Sequence, residues 1–210
     1  MKDRYDDIDE YIRDLQAAIE QSGGECAAHH YNLGLALLSK RDFVGAEESF
    51  LNALKESPHM AEAMVQLGGI CLQRGDLDGC FNYNKEAATI RPKFAVAESN
   101  IGFVYLQRRD PKKAIDHVDK ALRWDPKFLQ ARTVLAAAEL MQGNYERCAE
   151  NCRIILKQEE GFAPAWMNLS LSLFELGDYK GADDAVRKAR EYGFDVNPNY
   201  LKELEEKLAG

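Results

Sequence analysis

The chain has 210 residues, of which 46% are apolar and 10% aromatic, and it carries a formal net charge of −8 at pH 7. The apolar content suffices for a packed core, but the acidic balance argues against nucleic acid or an anionic membrane surface as partner, because both require a basic face. The charged start, MKDRYDDIDEYIRD, lacks the apolar core of a signal peptide, and no run of about 18 apolar residues could span a bilayer. We therefore expect a cytoplasmic protein that does not insert into membranes.

The first predicted element is an N-terminal helix within residues 1–26. Its apolar residues recur at helical spacing between Asp6 and Gln21, and Ser22-Gly23-Gly24 ends the pattern. They are Ile8, Tyr11, Ile12, Leu15 and Ile19. This apolar stripe needs a cover, and we expect the helix to pack on the unit that follows. Two alternatives stay open: docking on a second copy, giving a homodimer, or folding into the chain's own binding surface as an inhibitor.

From Ala27 to Val196 one pattern returns every 34 residues. In its first copy L-G-x-x-L begins at Leu33, A-x-x-x-F-x-x-A begins at Ala46, and Pro58 follows. Each spacing places its apolar residues on one face of a short helix. A hairpin of two such helices cannot bury its apolar face alone, so the pattern predicts neighbouring hairpins that stack.

Three sets of residues, each at intervals of 34, support this register. The first helices carry an apolar position at Leu33, Leu67, Ile101, Leu135 and Leu169. Small residues follow it at Gly34, Gly68, Gly102, Ala136 and Ser170. Between the helices stand Asp42, Asp76, Asp110, Asn144 and Asp178. The small residues allow close approach of two helices, and each Asx side chain is expected to cap the second helix of its hairpin.

The pattern resembles that of the tetratricopeptide repeat (TPR) family, W-x2-L-G-x2-Y, A-x3-F, P, in five tandem copies. The copies span residues 27–60, 61–94, 95–128, 129–162 and 163–196. The resemblance implies an all-α, right-handed superhelical solenoid of helix hairpins, continuous from end to end, that binds other proteins. In residues 197–210 the leucines 201, 204 and 208 predict a final helix that caps the array.

Two repeats depart from the pattern. Asn84 replaces an apolar residue and is expected to form a local hydrogen bond. Glu139 stands where leucine or tyrosine is found in other repeats, and a buried carboxylate is costly unless it is paired. We expect repeat four to be locally irregular; the alternative is that it presents Glu139 to a ligand.

The cysteines are predicted to be reduced. Cys71, Cys80, Cys148 and Cys152 lie at positions expected to be buried, and the odd total of five does not indicate a disulfide framework. The less favoured alternative is a metal or redox site at Cys148 and Cys152, four residues apart on one helix. We predict no metal and no cofactor.

The resemblance also implies a binding site, because in TPR proteins the first helix of each repeat lines a concave groove. Read in register, the expected peptide-binding residues are Tyr31, Asn32, Leu35, Gln66, Gly69, Asn100, Phe103, Thr133, Met141, Met167, Asn168 and Leu171. Among them is a row of amides at 34-residue intervals, interrupted by Val134, and amides can pair with the backbone of a bound segment. The alternative is that asparagine is merely tolerated at this exposed position.

The expected groove lacks the basic residues with which TPR co-chaperones hold the C-terminal carboxylates of large heat-shock chaperones. The corresponding positions hold Tyr31, Leu35, Gln66, Val96 and Asn100. A carboxylate would find no counter-charge there, and that partner class is excluded.

The predicted function is therefore that of an adaptor, which binds an apolar-rich segment of a partner protein in extended or helical form. The alternative is a self-associating assembly scaffold or assembly chaperone that uses its end caps or its convex face. An enzyme is not expected, because no phosphate loop, H-E-x-x-H or G-x-S-x-G is present. The four histidines, at positions 29, 30, 59 and 117, are too scattered to form an evident catalytic pair.

Overall fold

The computed structural model describes residues 7–209, which form twelve helices and no strand. The helices are α1 (Ile8–Gln21), α2 (Ala27–Ser39), α3 (Phe43–Glu56), α4 (Ala61–Gln73), α5 (Leu77–Ile90), α6 (Ala95–Gln107), α7 (Pro111–Trp124), α8 (Leu129–Met141), α9 (Tyr145–Gln158), α10 (Ala163–Glu175), α11 (Tyr179–Glu191) and α12 (Pro198–Ala209). The helices from α2 to α11 alternate as first and second helices, and each first helix begins 34 residues after the previous one. The predicted all-α class of repeated helix hairpins is confirmed.

The contacts group the chain into two compact units, Met1–Ala97 and Glu98–Gly210. Unit 1 contains α1 to α5 and the first three residues of α6, and unit 2 contains the rest of α6 and α7 to α12. The single continuous body expected from the repeats stays a prediction.

Close contact within the hairpins explains the small residues of the first helices. A Cβ atom at Gly34 would lie 2.5 Å from Phe50 Cε1, and one at Gly68 would lie 2.3 Å from Asn84 Nδ2. Both distances are too short for real atoms, so only glycine fits these helix pairs without a shift. In the last hairpin Ser170 takes the position, and its hydroxyl donates a 2.7 Å hydrogen bond to Ala182 O.

The predicted helix caps are confirmed at four of the five positions. The carboxylates of Asp42, Asp76, Asp110 and Asp178 each accept a hydrogen bond of 2.8–3.1 Å from the backbone N–H three residues later. Asn144 makes no such bond, because its side-chain amide donates to Glu139 Oε2 at 2.6 Å instead. The prediction is wrong for Asn144, whose side chain satisfies a buried carboxylate rather than the helix end.

Repeat four is not irregular, contrary to the expectation from its sequence. Its first helix, α8, has 13 residues, as do the other first helices. Glu139 is 0% exposed, and Arg147 Nη2 lies 2.9 Å from its Oε1 atom as an ion pair. Because Asn144 and Arg147 occupy both carboxylate oxygens from within the fold, the helix tolerates the buried charge and Glu139 is not presented to a ligand.

Asn84 also has the local partner that was predicted. Its Nδ2 atom donates to Cys80 O at 2.8 Å within the buried interior of the second hairpin.

The terminal helices cover the apolar ends of their own units. In unit 1, Ile12 and Leu15 of α1 pack against Leu33 and Ala36 of α2. This confirms that α1 covers the first repeat, although Asp6, with which its predicted stretch begins, lies outside the described residues. In unit 2, Leu204 of α12 is buried in the core cluster that α9 to α11 contribute.

Two adjacent glycines of α4 offer a matched test of the close contact. Gly68 faces Asn84, whereas a Cβ atom at Gly69 would have nothing within 4 Å. Replacing either glycine by alanine stabilises the helix through its intrinsic propensity by about 1 kcal/mol. Only Gly68→Ala also overpacks the hairpin. We expect Gly68→Ala to have a free energy of unfolding lower than that of Gly69→Ala by about 1–3 kcal/mol, measured by urea denaturation. Equal stabilities would show that the contact imposes no constraint.

A second prediction concerns the buried carboxylate. Arg147→Ala should lower the free energy of unfolding by about 1–3 kcal/mol, because Glu139 loses its cation. The double variant Glu139→Leu with Arg147→Ala should recover that loss, since an apolar residue suits the position. Arg153→Ala on the same helix, which removes an exposed cation, is the control. Urea denaturation compares the four proteins, and a double variant as unstable as Arg147→Ala would contradict the pairing.

Candidate functional site

In unit 1 the predicted peptide-binding residues lie on the first helices α2 and α4. Tyr31, Asn32 and Gln66 are half-buried, and Leu35 and Gly69 are exposed. The Tyr31 ring centroid lies 5.7 Å from that of Phe50 with the planes tilted by 53°, so core packing holds the ring. We call these predicted residues of α2 and α4 together the unit 1 face.

In unit 2 the predicted residues lie on α6, α8 and α10. Asn100, Phe103, Thr133 and Leu171, together with Asn168, are half-buried, whereas Met141 is 45% exposed. They form the unit 2 face. Phe103 and Leu171 are apolar, and Met141 adds a flexible side chain that can adapt to different ligands.

Two polar groups of the unit 2 face already have partners within the fold. The side-chain oxygen of Asn100 accepts a 2.9 Å hydrogen bond from Gln130 Nε2. The Thr133 hydroxyl donates to Leu129 O at 3.0 Å. The bond from Gln130 orients the Asn100 amide, whereas Thr133 contributes mainly its methyl group to the face.

Met167 does not belong to the accessible face. It is only 8% exposed and packs in the core cluster of unit 2, so its assignment as a peptide-binding residue is wrong. Val134, which interrupts the row of amides, is also buried. Sequence register alone cannot separate these cases, because a shift of a few degrees around a helix decides whether a side chain points inward or outward.

Charge is distributed unevenly between the first and second helices. Helix α2 contains no Asp, Glu, Lys or Arg, and α4 contains only Glu62, which pairs with Arg91. In α6, Glu98 turns away to His117, whose Nδ1 lies 2.6 Å from its carboxylate. The second helices carry most of the charge; α7 alone has Lys112, Lys113, Asp116, Asp119, Lys120 and Arg123. The unit 1 and unit 2 faces are therefore formed by apolar and amide groups.

The paired cysteines are enclosed in the core of unit 2. The sulfurs of Cys148 and Cys152 lie 3.9 Å apart, and both thiols are free and buried. The hydrogen bond between them lowers the pKa of Cys148; together with burial it raises that of Cys152. In unit 1, burial raises the pKa of Cys80 to about 11. Thiols with raised pKa values are weak nucleophiles.

Two features are absent from residues 7–209. No cluster of three or more His, Cys, Asp and Glu side chains is placed to hold a metal ion within this range. No helix there combines the length and hydropathy that a membrane crossing requires.

Sequence reasoning missed two depressions in unit 2, of about 760 Å³ and 400 Å³. Both are lined by Trp166 and Leu169 of α10, and the smaller one also by Ala185 of α11. A signal for them exists, because Ala185 is the smallest residue at its 34-residue position, where the other repeats have Ser49, Tyr83, His117 and Asn151.

Comparison with solved structures finds the same fold in several proteins. The chain shares 18% identity with YrrB, described as a TPR protein with an unusual peptide-binding site, at a TM-score of 0.67 over 85% of this chain and 92% of that one. The type IV pilus biogenesis factor PilW has 20% identity and a TM-score of 0.74, over 87% and 86% of the two chains. A chain of the APC/C hetero-tetramer Cut9-Hcn1 has 13% identity and a TM-score of 0.81, over 96% of this chain and 40% of that one.

One curated relative shows similarity in sequence. The heat-shock protein cognate (HSC) co-chaperone sgt12 of Aspergillus fumigatus is 36% identical over 56 residues, which are 27% of this chain and 16% of the co-chaperone. The match thus spans about a sixth of that relative's length.

The family comparison covers most of the chain. One tetratricopeptide repeat model matches residues 7–58, 40–92 and 101–150, and a second matches residues 163–191. The matched segments include helices of both units and overlap all five hairpins described above. The chain belongs to the tetratricopeptide repeat family, a class of protein-interaction modules.

Proposed function

We propose that the chain is a non-catalytic, cytoplasmic adaptor whose unit 1 and unit 2 faces bind uncharged, apolar-rich segments of partner proteins. The observation that carries the proposal is the scarcity of charge on the first helices, in a chain with a net charge of −8. Helix α2 has no charged residue, and α4, α6, α8 and α10 together have only Glu62, Glu98, Arg132, Glu139 and Glu175. Burial of a charge against a partner is costly unless the charge is paired. A face of apolar and amide groups avoids that cost when it is covered.

The amides give these faces a way to hold a peptide backbone. Asn32 and Gln66 in unit 1 and Asn168 in unit 2 each offer a side-chain donor and acceptor, whereas the side-chain oxygen of Asn100 already accepts from Gln130. Phe103 and Leu171 supply apolar area next to the amides of unit 2. This combination suits a segment that contributes backbone hydrogen bonds and apolar side chains, in extended or helical form.

The comparisons support a protein partner without naming it. YrrB is described as having a peptide-binding site, and sgt12 is named as a co-chaperone. The faces of this chain lack the Lys and Arg pairs that would hold a terminal carboxylate, so we propose an internal segment as the ligand. An acidic chain without a basic face is also a poor match for nucleic acid.

Self-association is the second candidate function, and one observation favours it. Val44 is 79% and Leu51 40% exposed, and they lie seven residues apart on one side of the second helix α3. An apolar pair of this kind could join two copies as a homodimer or in a larger scaffold. Light scattering over a range of concentrations, with Val44→Ala plus Leu51→Ala as the comparison, tests this candidate, and a constant monomer mass would reject it.

The peptide-binding proposal predicts that each face can be disabled separately. The unit 1 variant replaces Asn32, Leu35 and Gln66 by alanine, and the unit 2 variant replaces Asn100, Phe103 and Asn168. Two lost amide bonds at about 0.5–1.5 kcal/mol each, and a lost apolar contact, should weaken capture of a partner about tenfold or more. Quantitative mass spectrometry of proteins captured from extracts of the native cell measures the change.

Two controls accompany this experiment. The Val44→Ala plus Leu51→Ala variant also loses exposed apolar area, but outside both faces, and should retain its partners. Circular dichroism should show unchanged helix content in every variant. Undiminished capture by both face variants would reject the proposed function.

A further inference from the structure

The two depressions next to Trp166 lie on the opposite side of α10 from the unit 2 face. With 3.6 residues per turn, Trp166 and Leu169 project from one side of α10, and Asn168 and Leu171 project from the other. The larger depression is lined by Arg153, Leu156, Lys157, Gln158, Glu160, Trp166 and Leu169. The smaller is lined by Trp166, Leu169, Gly181, Asp184, Ala185, Arg187, Lys188 and Glu191. We call them together the Trp166 cleft.

The cleft lies between two positions whose side chains bond to each other in the third and fourth repeats; in the first repeat, where these positions hold His30 and Ser49, a depression is also present. In the third repeat Glu98 reaches His117, with 2.6 Å between the carboxylate and Nδ1. In the fourth repeat Arg132 Nη1 donates to Asn151 Oδ1 at 3.0 Å. Each pair joins the first helix to the second at the same two positions of the repeat. In the fifth repeat these positions hold Trp166 and Ala185, and the alanine is too short to fill the space.

The floor of the cleft is apolar and held in place. Leu169 and Ala185 belong to the buried core cluster, and Leu156 closes it from α9. The Trp166 indole N–H donates to Glu160 O at 2.7 Å, so the ring is fixed at its polar edge. A fixed, partly exposed indole provides contact area without much loss of side-chain entropy, and tryptophan is enriched among residues that dominate binding energy.

The rim next to this floor carries two cations without an ion-pair partner among residues 7–209. Arg153 and Lys157 are exposed and lie four residues apart, hence on one side of α9. The cations on the opposite wall, which α11 forms, already have ion-pair partners. Arg187 pairs with Asp183 at 2.7 Å and Lys188 with Glu191 at 2.9 Å. Unlike the uncharged unit 2 face, the Trp166 cleft thus combines an apolar floor with charged groups: the two cations on α9, and the carboxylates of Glu160 and Asp184, which also line it.

We propose that the Trp166 cleft is a second binding site, which takes an acidic segment of a partner protein with one large apolar side chain. The apolar side chain packs on Trp166, Leu169 and Ala185, and a neighbouring carboxylate pairs with Arg153 and Lys157. A basic segment is disfavoured there by repulsion from the same two cations. The site is independent of the unit 2 face, so the chain can hold two segments of different chemistry.

A random peptide library displayed on phage tests this inference with the full-length chain as bait. The library is first depleted of phage that bind the Arg153→Glu plus Lys157→Glu variant. The remaining phage are then selected on the wild-type protein. The enriched peptides should contain Asp or Glu close to Leu, Ile, Phe or Trp. Enrichment of peptides without an acidic excess, or no enrichment at all, would overturn the proposal.

The affinity of the best peptide is then measured by the fluorescence of Trp166 in a Trp124→Phe background. We expect Arg153→Glu plus Lys157→Glu to weaken binding at least tenfold. Arg123→Glu plus Lys127→Glu makes the same charge change, with the same spacing, away from the cleft and should leave binding unchanged. Equal loss in both charge variants would indicate a general charge effect and overturn the site.

Two further variants locate the contact. Ala185→Asn introduces the residue of the preceding repeat, fills part of the cleft without a change in charge, and should also weaken binding while circular dichroism shows a folded chain. Asn168→Ala plus Leu171→Ala alters the unit 2 face and should have no effect. A loss of binding only in this last variant would place the peptide on the unit 2 face and reject the cleft.

Discussion

The fold depends on the close approach of the two helices in each hairpin. Where Gly34 meets Phe50 and Gly68 meets Asn84, no atom can be added between the helices without a shift. Such contact brings the apolar faces together over their whole length, and dense packing of this kind supplies much of the stabilisation of a small helical repeat. The capping aspartates then fix where four of the five second helices begin.

This constraint separates two kinds of surface. The first helices are packed on several sides and retain one accessible side, on which charge is almost absent. The second helices are more open to solvent and carry most of the ionised groups. The neutral side can be covered by a partner at little electrostatic cost, whereas the charged side keeps the chain in solution. The proposed binding faces follow from that division.

Several polar residues of the interior have partners in the surrounding fold. Glu139 has Arg147 and Asn144 as partners, Asn84 has Cys80 O, and Glu98 has His117. Glu139 and Asn84 stand at positions where most other repeats have apolar side chains. The repeat therefore tolerates wide variation at single positions, provided that the replacement is partnered or, as at Ala185, leaves a space that a ligand could fill.

The 34-residue period determined by itself which residues form helices, where the hairpins turn, and which small residues allow two helices to approach closely. These features are local or repeat at a fixed interval, so a linear pattern records them. The roles of the terminal helices were also predictable, because an apolar stripe at the end of an array needs a cover. Only the tertiary structure showed that Met167 is buried and that repeat four is regular. It also showed that the Asn144 side chain donates to Glu139 instead of capping α9. It alone revealed the Trp166 cleft. In each case the outcome depends on which side chains from different helices meet in space, and the spacing along one chain does not contain that information.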